Sequence, residues 1–419
     1  VPRRSLRRSL MRKGRLVTFD ALLQDTPPTR HIIKPTDTAL ILYTSGTTGR
    51  SKGAMLSHGN VVSNIRGATS EFELDERMST LSFLPINHVF EQVVGILLPL
   101  SLGGSVSFAE SLKKLGENLV EVKPSFFLGV PAVYRMFLDR IRKNVGAGTI
   151  TNLLYTLPLT RPLVATGIRR TFGENTIFVS GGAPLDPEVA KGLRDLGLTI
   201  IQGYGITETS PIISAERRDR MRIGTVGLLF PGVEVRIDTP NDEGVGEIVV
   251  RGPNIMQGYY NNPRATADVL QNGWYRTGDL GRIEADGFLS ICGRVKNLIV
   301  TPNGKNVYPE EVETELLKSP FIAEVMVYGH KVSSTAEEVH ALIYPNQEAI
   351  DDFARSQQLA EMSERDVEAL IRREVQKACD GLAEYKRVRR FTLRDDEFPK
   401  TTTRKIKRFV VEASIALGE

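Results

Sequence analysis

Tyr43-Thr44-Ser45-Gly46-Thr47-Thr48-Gly49-Arg50-Ser51-Lys52-Gly53 follows directly on the apolar run Ala39-Leu40-Ile41-Leu42. The run reads as a buried strand and the polar stretch as the loop it delivers. Gly46, Gly49 and Gly53 let backbone N–H groups turn toward an anion. The hydroxyls of Thr44, Ser45, Thr47 and Thr48 can donate to phosphate oxygens, and Lys52 supplies a positive charge. In composition this is a phosphate cradle. It is not a Walker A loop, because Ser51 stands before the lysine where glycine is required and no Ser or Thr follows. A plain polar surface loop is the competing reading, and the density of glycines and hydroxyls after an apolar strand argues against it.

Outward from this loop, the same pattern recurs. Residues 176–180 form a second apolar run ending at Gly181-Gly182, and residues 198–202 a third ending at Gly203. Between them residues 188–196 read as a helix with Val189, Leu193 and Leu196 on one face. Strands that each deliver a polar, glycine-containing loop predict an α/β fold with one ligand crevice at their carboxyl ends. From Gly224 the texture turns β-rich: residues 233–237 and 247–251 alternate or run β-branched between turn residues. After Arg294 a third unit follows, with strands at 323–328 and 340–344 and a helix starting near Ser363. That helix carries Val367, Leu370, Ile371 and Val375 at helical spacing, and Ser363 with Asp366 forms a capping pair. The expected domains are a basic arm or linker at 1–36, a large domain at 37–295 and a small α+β domain at 296–419.

Composition narrows the function. The 419 residues exceed one ordinary core, and 54 basic against 50 acidic side chains leave a charge of only +4. This does not indicate a nucleic-acid binder. The excess is local, with Arg3, Arg4, Arg7, Arg8, Arg12, Lys13 and Arg15 at the start. Such an arm could make a peripheral contact with anionic lipid, although a solvated linker is the favoured reading. No apolar segment follows it, so it is not expected to be a secretory signal. The uncharged run 92–109 approaches membrane-spanning length, but Gly95, Pro99, Gly103 and Gly104 favour a buried helix, a turn and a strand. Cys292 and Cys379 lack partners at metal-ligand spacing and read as packing residues in a reducing compartment. The expectation is a cytoplasmic protein.

Three further segments carry chemistry. In Gln202-Gly203-Tyr204-Gly205-Ile206-Thr207-Glu208-Thr209 the aromatic face suits adenine stacking, and a carboxylate beside a hydroxyl suits Mg²⁺ travelling with phosphates. Asp279 in Tyr275-Arg276-Thr277-Gly278-Asp279 can accept both ribose hydroxyls; alone, a turn-capping role would be the better reading. Residues 399–408, PKTTTRKIKR, would alone read as a basic tail.

Taken together and in order, YTSGTTGRSKG, SGGAPL, QGYGITETSP, GYYNNP, YRTGD, GRVKNLIVTPNGKNVYPEEVE and PKTTTRK resemble the adenylate-forming superfamily of acyl-CoA synthetases, luciferases and nonribosomal-peptide adenylation domains. LPINHVFEQ and the long GRVKNLIV segment are most similar to bacterial long-chain fatty acyl-CoA synthetases. The resemblance implies ATP and coenzyme A as co-substrates, Mg²⁺ as the cofactor and a fatty acid as the acyl donor. An acyl carrier protein in place of coenzyme A, or a nucleotide-binding homologue without full turnover, are the alternatives. By the same resemblance, Thr44, Ser45, Gly46, Thr47, Thr48, Gly49 and Lys52 hold the β- and γ-phosphates, with Thr44 near the metal. Gly182, Ala183 and Pro184 line one face of adenine, and Gln202, Gly203, Tyr204 and Gly205 cover the other. Thr207 meets the α-phosphate, Glu208 ligates Mg²⁺, and Asp279 and Arg294 hold the ribose. Lys405 matches the catalytic lysine, Lys296 the hinge of a mobile C-terminal domain and Gly304 the pantetheine tunnel. His88 stands at the acyl gate or is a packed core histidine.

Two positions depart from the family pattern. Arg404 replaces the glycine before the catalytic lysine, which brings Lys400 and Lys407 into consideration, although the spacing favours Lys405. The family carries a substantial subdomain before the phosphate loop, which this chain reaches at residue 44. The chain is therefore expected to be a fragment or a reduced form; in the latter case an uncovered apolar face would favour a homodimer or low stability.

Overall fold

The computed structural model describes residues 32–44, 51–147, 160–333, 336–359, 361–401 and 405–417. The basic arm, Ser45 to Arg50 of the glycine-rich loop and Arg404 lie outside the described residues. Thr36–Glu419 pack as one unit.

Strands β1 (Thr38–Thr44) and β2 (Lys52–Ser57) pair antiparallel on either side of the glycine-rich loop. Thr44 stands opposite Lys52, so the two ends of the cradle meet at one hairpin mouth. Strand β1 is not buried on both faces, as its apolar run suggested. Ile41 and Tyr43 are 40% and 66% exposed, while Leu40 and Leu42 pack on the core. It belongs to a small three-stranded sheet, where one face suffices for burial.

The main sheet contains β3 (Ser79–Ser82), β4 (Ser105–Phe108), β5 (Phe126–Gly129), β6 (Ile177–Ser180), β7 (Thr199–Gly205), β8 (Ile212–Ala215) and β9 (Leu228–Leu229), in the order β4-β3-β5-β6-β7-β8-β9. The first five in that order are parallel, and β8 and β9 add antiparallel at one end. Every residue of β5 and β6 is buried, as parallel strands between covering layers require. Helices Pro131–Ala147 and Pro187–Asp195 supply part of that cover. Tyr134 is fully buried among Phe127, Phe137 and Phe178, and its hydroxyl donates to the Phe127 and Val179 carbonyls at 3.0 and 2.9 Å. This satisfies the one polar atom of an otherwise apolar layer.

The uncharged run resolves into a π-helical segment Phe90–Leu97, a short α-helix Leu98–Ser101, a turn and β4. Among the described residues no helix is long and apolar enough to cross a membrane.

The β-rich region is a five-stranded antiparallel sheet of β10 (Glu234–Asp238), β11 (Gly246–Arg251), β13 (Leu270–Gln271), β14 (Trp274–Ile283) and β15 (Leu289–Arg294). Strand β12 (Gly258–Tyr259) leaves it and pairs with β2. A 3₁₀ turn at Val295–Asn297 leads to the hairpin of β16 (Ile299–Val300) and β17 (Asn306–Val307). Beyond it, β18 (Ile322–Lys331), β19 (Glu337–Pro345) and β20 (Arg390–Leu393) form a third sheet, covered by helices Pro309–Leu316 and Glu364–Asp380 around a separate hydrophobic cluster. Ser363 caps the second helix by accepting from the Asp366 N–H, which confirms the capping pair.

Candidate active site

The carboxyl ends of β6 and β7, the hairpin mouth of β1 and β2, the β14–β15 pair and the C-terminal residues around Lys405 open onto one cleft of roughly 2680 Å³. That exceeds the about 300–1,000 Å³ that one small ligand needs. The described candidates Thr44, Lys52, His88, Glu208, Asp279 and Lys405 all line it, as do Gly182 to Pro184 and Gln202 to Gly205.

At the hairpin mouth, the ammonium of Lys52 lies 5.0 Å from the centre of the Tyr259 ring. The Tyr259 hydroxyl donates to Glu208 Oε1 at 2.8 Å. Glu208 is buried in the 3₁₀ turn Thr207–Thr209, one residue beyond β7, and its carbonyl accepts from the Met256 N–H at 2.9 Å. No cluster of three or more His, Cys, Asp or Glu side chains set to hold an ion occurs among the described residues. A divalent cation here would rest on Glu208 and on oxygens that the nucleotide brings, the usual arrangement for Mg²⁺ with phosphates. One buried carboxylate on the lining of the cleft fits that role.

In the middle of the cleft, Gly182 adopts φ +81°, which lets the chain turn sharply after β6 into Ala183 and Pro184. On the neighbouring strand, Gly205 ends β7 where any Cβ would come 1.7 Å from the Pro211 carbonyl oxygen, so glycine is the only residue that permits this pairing with β8. Tyr204 donates its hydroxyl to Asp279 Oδ2 at 2.7 Å, and Arg294 Nε lies 2.8 Å from Asp279 Oδ1. Asp279 and Arg294 face each other across β14 and β15, so sheet register aligns the pair. Burial pushes the Asp279 carboxyl above its ordinary value, against the opposing pull of Arg294. Each carboxylate oxygen still has a lone pair for a ribose hydroxyl.

The Thr401 N–H donates to the Lys405 carbonyl at 2.8 Å. Lys405 keeps contact with solvent while its side chain sits within the cleft lining. The surrounding protein still lowers its pKa, first by desolvation and then by repulsion from Arg294, with Asp279 opposing. The same lysine helps to lower the pKa of His88, after burial. Lys405 therefore shares the field of the Asp279–Arg294 pair and of His88. Lys400 and Lys407 line the cleft as well, but Lys400 is engaged by Glu324 of β18 and by Glu397. Lys296 also lines the cleft, whereas Gly304, at φ +68° in the β16–β17 turn, lies outside its lining.

The cleft has an apolar part. Phe72, Leu74, Met78, Val94, Leu98 and Phe126 line it and also belong to or pack on the main hydrophobic core. Reading the sequence missed the Tyr259 hydroxyl, the Tyr204–Asp279 bond and the buried Glu91. Gly-Tyr-Tyr at 258–260 was a visible motif, yet nothing in it says which carboxylate the first tyrosine meets.

The model of the AMP-binding enzyme family matches residues 4–260, and that of the AMP-binding enzyme C-terminal domain matches residues 311–405. The chain is 32% identical to the long-chain-fatty-acid–CoA ligase FadD15 of Mycobacterium bovis, over 92% of this chain and 69% of that protein. It is 30% identical to fatty acyl-CoA synthetase B of Dictyostelium discoideum, over 83% of this chain and 54% of that protein. Among solved structures it superposes on ATP-bound MatB from Rhodopseudomonas palustris with a TM-score of 0.71 and 29% identity, covering 92% of this chain and 70% of MatB. The chain spans about two thirds of the mycobacterial ligase and about half of the Dictyostelium synthetase. The chain belongs to the family of AMP-binding enzymes.

Proposed function

We propose that this chain activates a long-chain fatty acid with ATP and passes the acyl group to coenzyme A. The observation that carries the reading is the single cleft that brings the hairpin mouth at Thr44 and Lys52, the Asp279–Arg294 pair and Lys405 together beside an apolar recess. The printed names of the relatives, a long-chain-fatty-acid–CoA ligase and a fatty acyl-CoA synthetase, agree with it.

In the first step a carboxylate oxygen of the fatty acid attacks the α-phosphorus, the bond to the bridging oxygen of the β-phosphate breaks, and pyrophosphate leaves. The product is an acyl-adenylate. Asp279 and Arg294 would fix the ribose, and Gly182 to Pro184 with Tyr204 the adenine. Lys405 would meet the charge that builds on the α-phosphoryl oxygens, which is positioning plus preorganised electrostatics. Held by Glu208 and Thr44, Mg²⁺ would supply further positive charge to the phosphates. In the second step the coenzyme A thiol attacks the acyl carbon, AMP leaves and the thiol proton goes to solvent. For that step the domain beyond Lys296 would rotate about the Val295–Asn297 turn, withdrawing Lys405 and bringing Gly304 to the cleft. The present arrangement, with Lys405 in the cleft lining and Gly304 outside it, fits the adenylating orientation.

A panel of carboxylates read by ATP–pyrophosphate exchange tests the substrate. Exchange that rises with saturated acyl chains beyond about ten carbons supports the reading. Exchange confined to short or aromatic acids would contradict it. Repeating thioester formation with an acyl carrier protein in place of coenzyme A identifies the acceptor.

A further inference from the structure

We propose that Tyr259 is a positioning residue for the metal-bearing phosphates. It orients the Glu208 carboxylate and keeps it apart from Lys52. The inference rests on the reading of Glu208 as the Mg²⁺ ligand, and it concerns a residue to which that reading gives no part.

Tyr259 is only 6% exposed, and its backbone is fixed at two points. It pairs with Ala54 of β2, two residues beyond Lys52, while its own N–H donates to Thr266 Oγ1 at 2.9 Å. The segment leading to it is pinned as well. Asn254 Nδ2 donates to the Thr209 carbonyl at 3.0 Å, and the Met256 and Gln257 N–H groups donate to the Glu208 and Met55 carbonyls, each at 2.9 Å. Residues 254–259 thus form a strut between the turn that carries Glu208 and the strand that carries Lys52.

At the end of this strut the ring and the hydroxyl do different things. The ring face lies under the Lys52 ammonium at 5.0 Å, and the hydroxyl donates to Glu208 Oε1 at 2.8 Å. The Tyr275 hydroxyl is a further hydrogen-bond neighbour of the Tyr259 hydroxyl, and because a carboxylate can only accept, the direction of the Tyr259–Glu208 bond is fixed. The tyrosine claims Oε1 and leaves Oε2 as the oxygen for a cation. A cation-π contact holds Lys52 without consuming the carboxylate. Removing the hydroxyl would free Glu208 to rotate toward Lys52, and an ion pair between them would compete with the metal. Loss of such a supporting hydrogen bond commonly costs about 10–100-fold in metal affinity.

The test compares the unmodified chain with Tyr259→Phe, Tyr275→Phe and Glu208→Gln. ATP affinity is measured by calorimetry as Mg²⁺ is varied, with no carboxylate present, and thermal midpoints are recorded alongside. Tyr259→Phe is expected to raise the Mg²⁺ concentration for half-maximal enhancement of ATP binding about tenfold. ATP affinity without Mg²⁺ should be unchanged, and Tyr275→Phe should give a smaller shift of the same sign. If Glu208→Gln raises the Mg²⁺ requirement and neither tyrosine variant does, the positioning role is overturned and the metal reading stands. If Glu208→Gln leaves the Mg²⁺ dependence unchanged, the metal reading fails and takes the proposal with it. A loss of Mg²⁺-free ATP affinity in Tyr259→Phe, equal to the loss with Mg²⁺, would also overturn it, since the hydroxyl would then support nucleotide binding independently of the metal. Should Tyr259→Phe fail to fold, Tyr275→Phe decides, and an unchanged Mg²⁺ requirement there overturns the proposal.

Discussion

Replacing Glu91 by glutamine should make the protein progressively more stable, relative to the unmodified chain, as pH rises from 4.5 to 8. Glu91 is 1% exposed in the π-helical segment Phe90–Leu97. Its carboxyl lies against Gly95, where a Cβ would meet both oxygens at 3.1 Å. The Ser82 hydroxyl and the Phe83 N–H donate to it, yet Oε1 has no hydrogen-bond partner among the described residues. Burial therefore wins over these two bonds and raises the pKa from 4.5 to about 7. The native state keeps a proton that the unfolded chain releases between those values. Stability from this group is thus complete below pH 4.5 and is lost as pH climbs toward 7. At about 1.4 kcal/mol per pH decade the loss is about 3 kcal/mol. Glutamine cannot ionise, so the difference between variant and parent should grow by that amount. In thermal scans of a cooperatively unfolding chain of this size it corresponds to roughly 3 °C. An amide N–H₂ facing the Phe83 N–H adds a constant offset, so the slope with pH is the diagnostic. A difference that stays flat, or shrinks, between pH 4.5 and 8 would refute the reasoning and mean that Glu91 is ionised in the native state.

Three further outcomes follow from the site. Because its pKa is lowered, Lys405 should acylate faster than surface lysines at pH 8 without ATP, and slower when ATP brings negative charge beside it. Peptide mass spectrometry measures both rates, and faster labelling with ATP would contradict the placement. Tyr204→Phe removes the 2.7 Å bond to Asp279 and should raise the KM for ATP about tenfold with kcat little changed, since one hydrogen bond to a charged group is lost. Gly205→Ala forces a Cβ within 1.7 Å of the Pro211 oxygen and should cost roughly 3 kcal/mol or more in denaturant unfolding, because backbone must yield.

Much of this was legible in the residues because it depends on local chemistry. Strands ending in glycine and hydroxyl loops announce their own function, and β6 and β7 lie side by side with their loops opening on one cleft. Burial was harder. Ala39 to Tyr43 is apolar throughout, so nothing in it separates the inward Leu40 and Leu42 from the outward Ile41 and Tyr43; the three-stranded sheet decides that. The π-helical register around Glu91 was equally hidden, since it sets a carboxylate into the core against the usual preference. Long-range side-chain bonds were invisible for a different reason. Tyr259 and Glu208 are 51 residues apart, and Tyr204 and Asp279 are 75 apart. Each residue by itself has a commonplace explanation, and only the tertiary arrangement selects the partner.

The central claim is that Lys405 serves the chemistry at phosphorus and not the chemistry at sulfur. Its most direct test assays Lys405→Ala in two separate half-reactions, palmitate-dependent ATP–pyrophosphate exchange and conversion of preformed palmitoyl-adenylate to the thioester with coenzyme A. The account predicts that exchange falls by about a hundredfold or more, the scale of losing one preorganised charge at the transition state, while thioester formation changes little. Equal losses in both half-reactions, or exchange that survives the substitution, would contradict it.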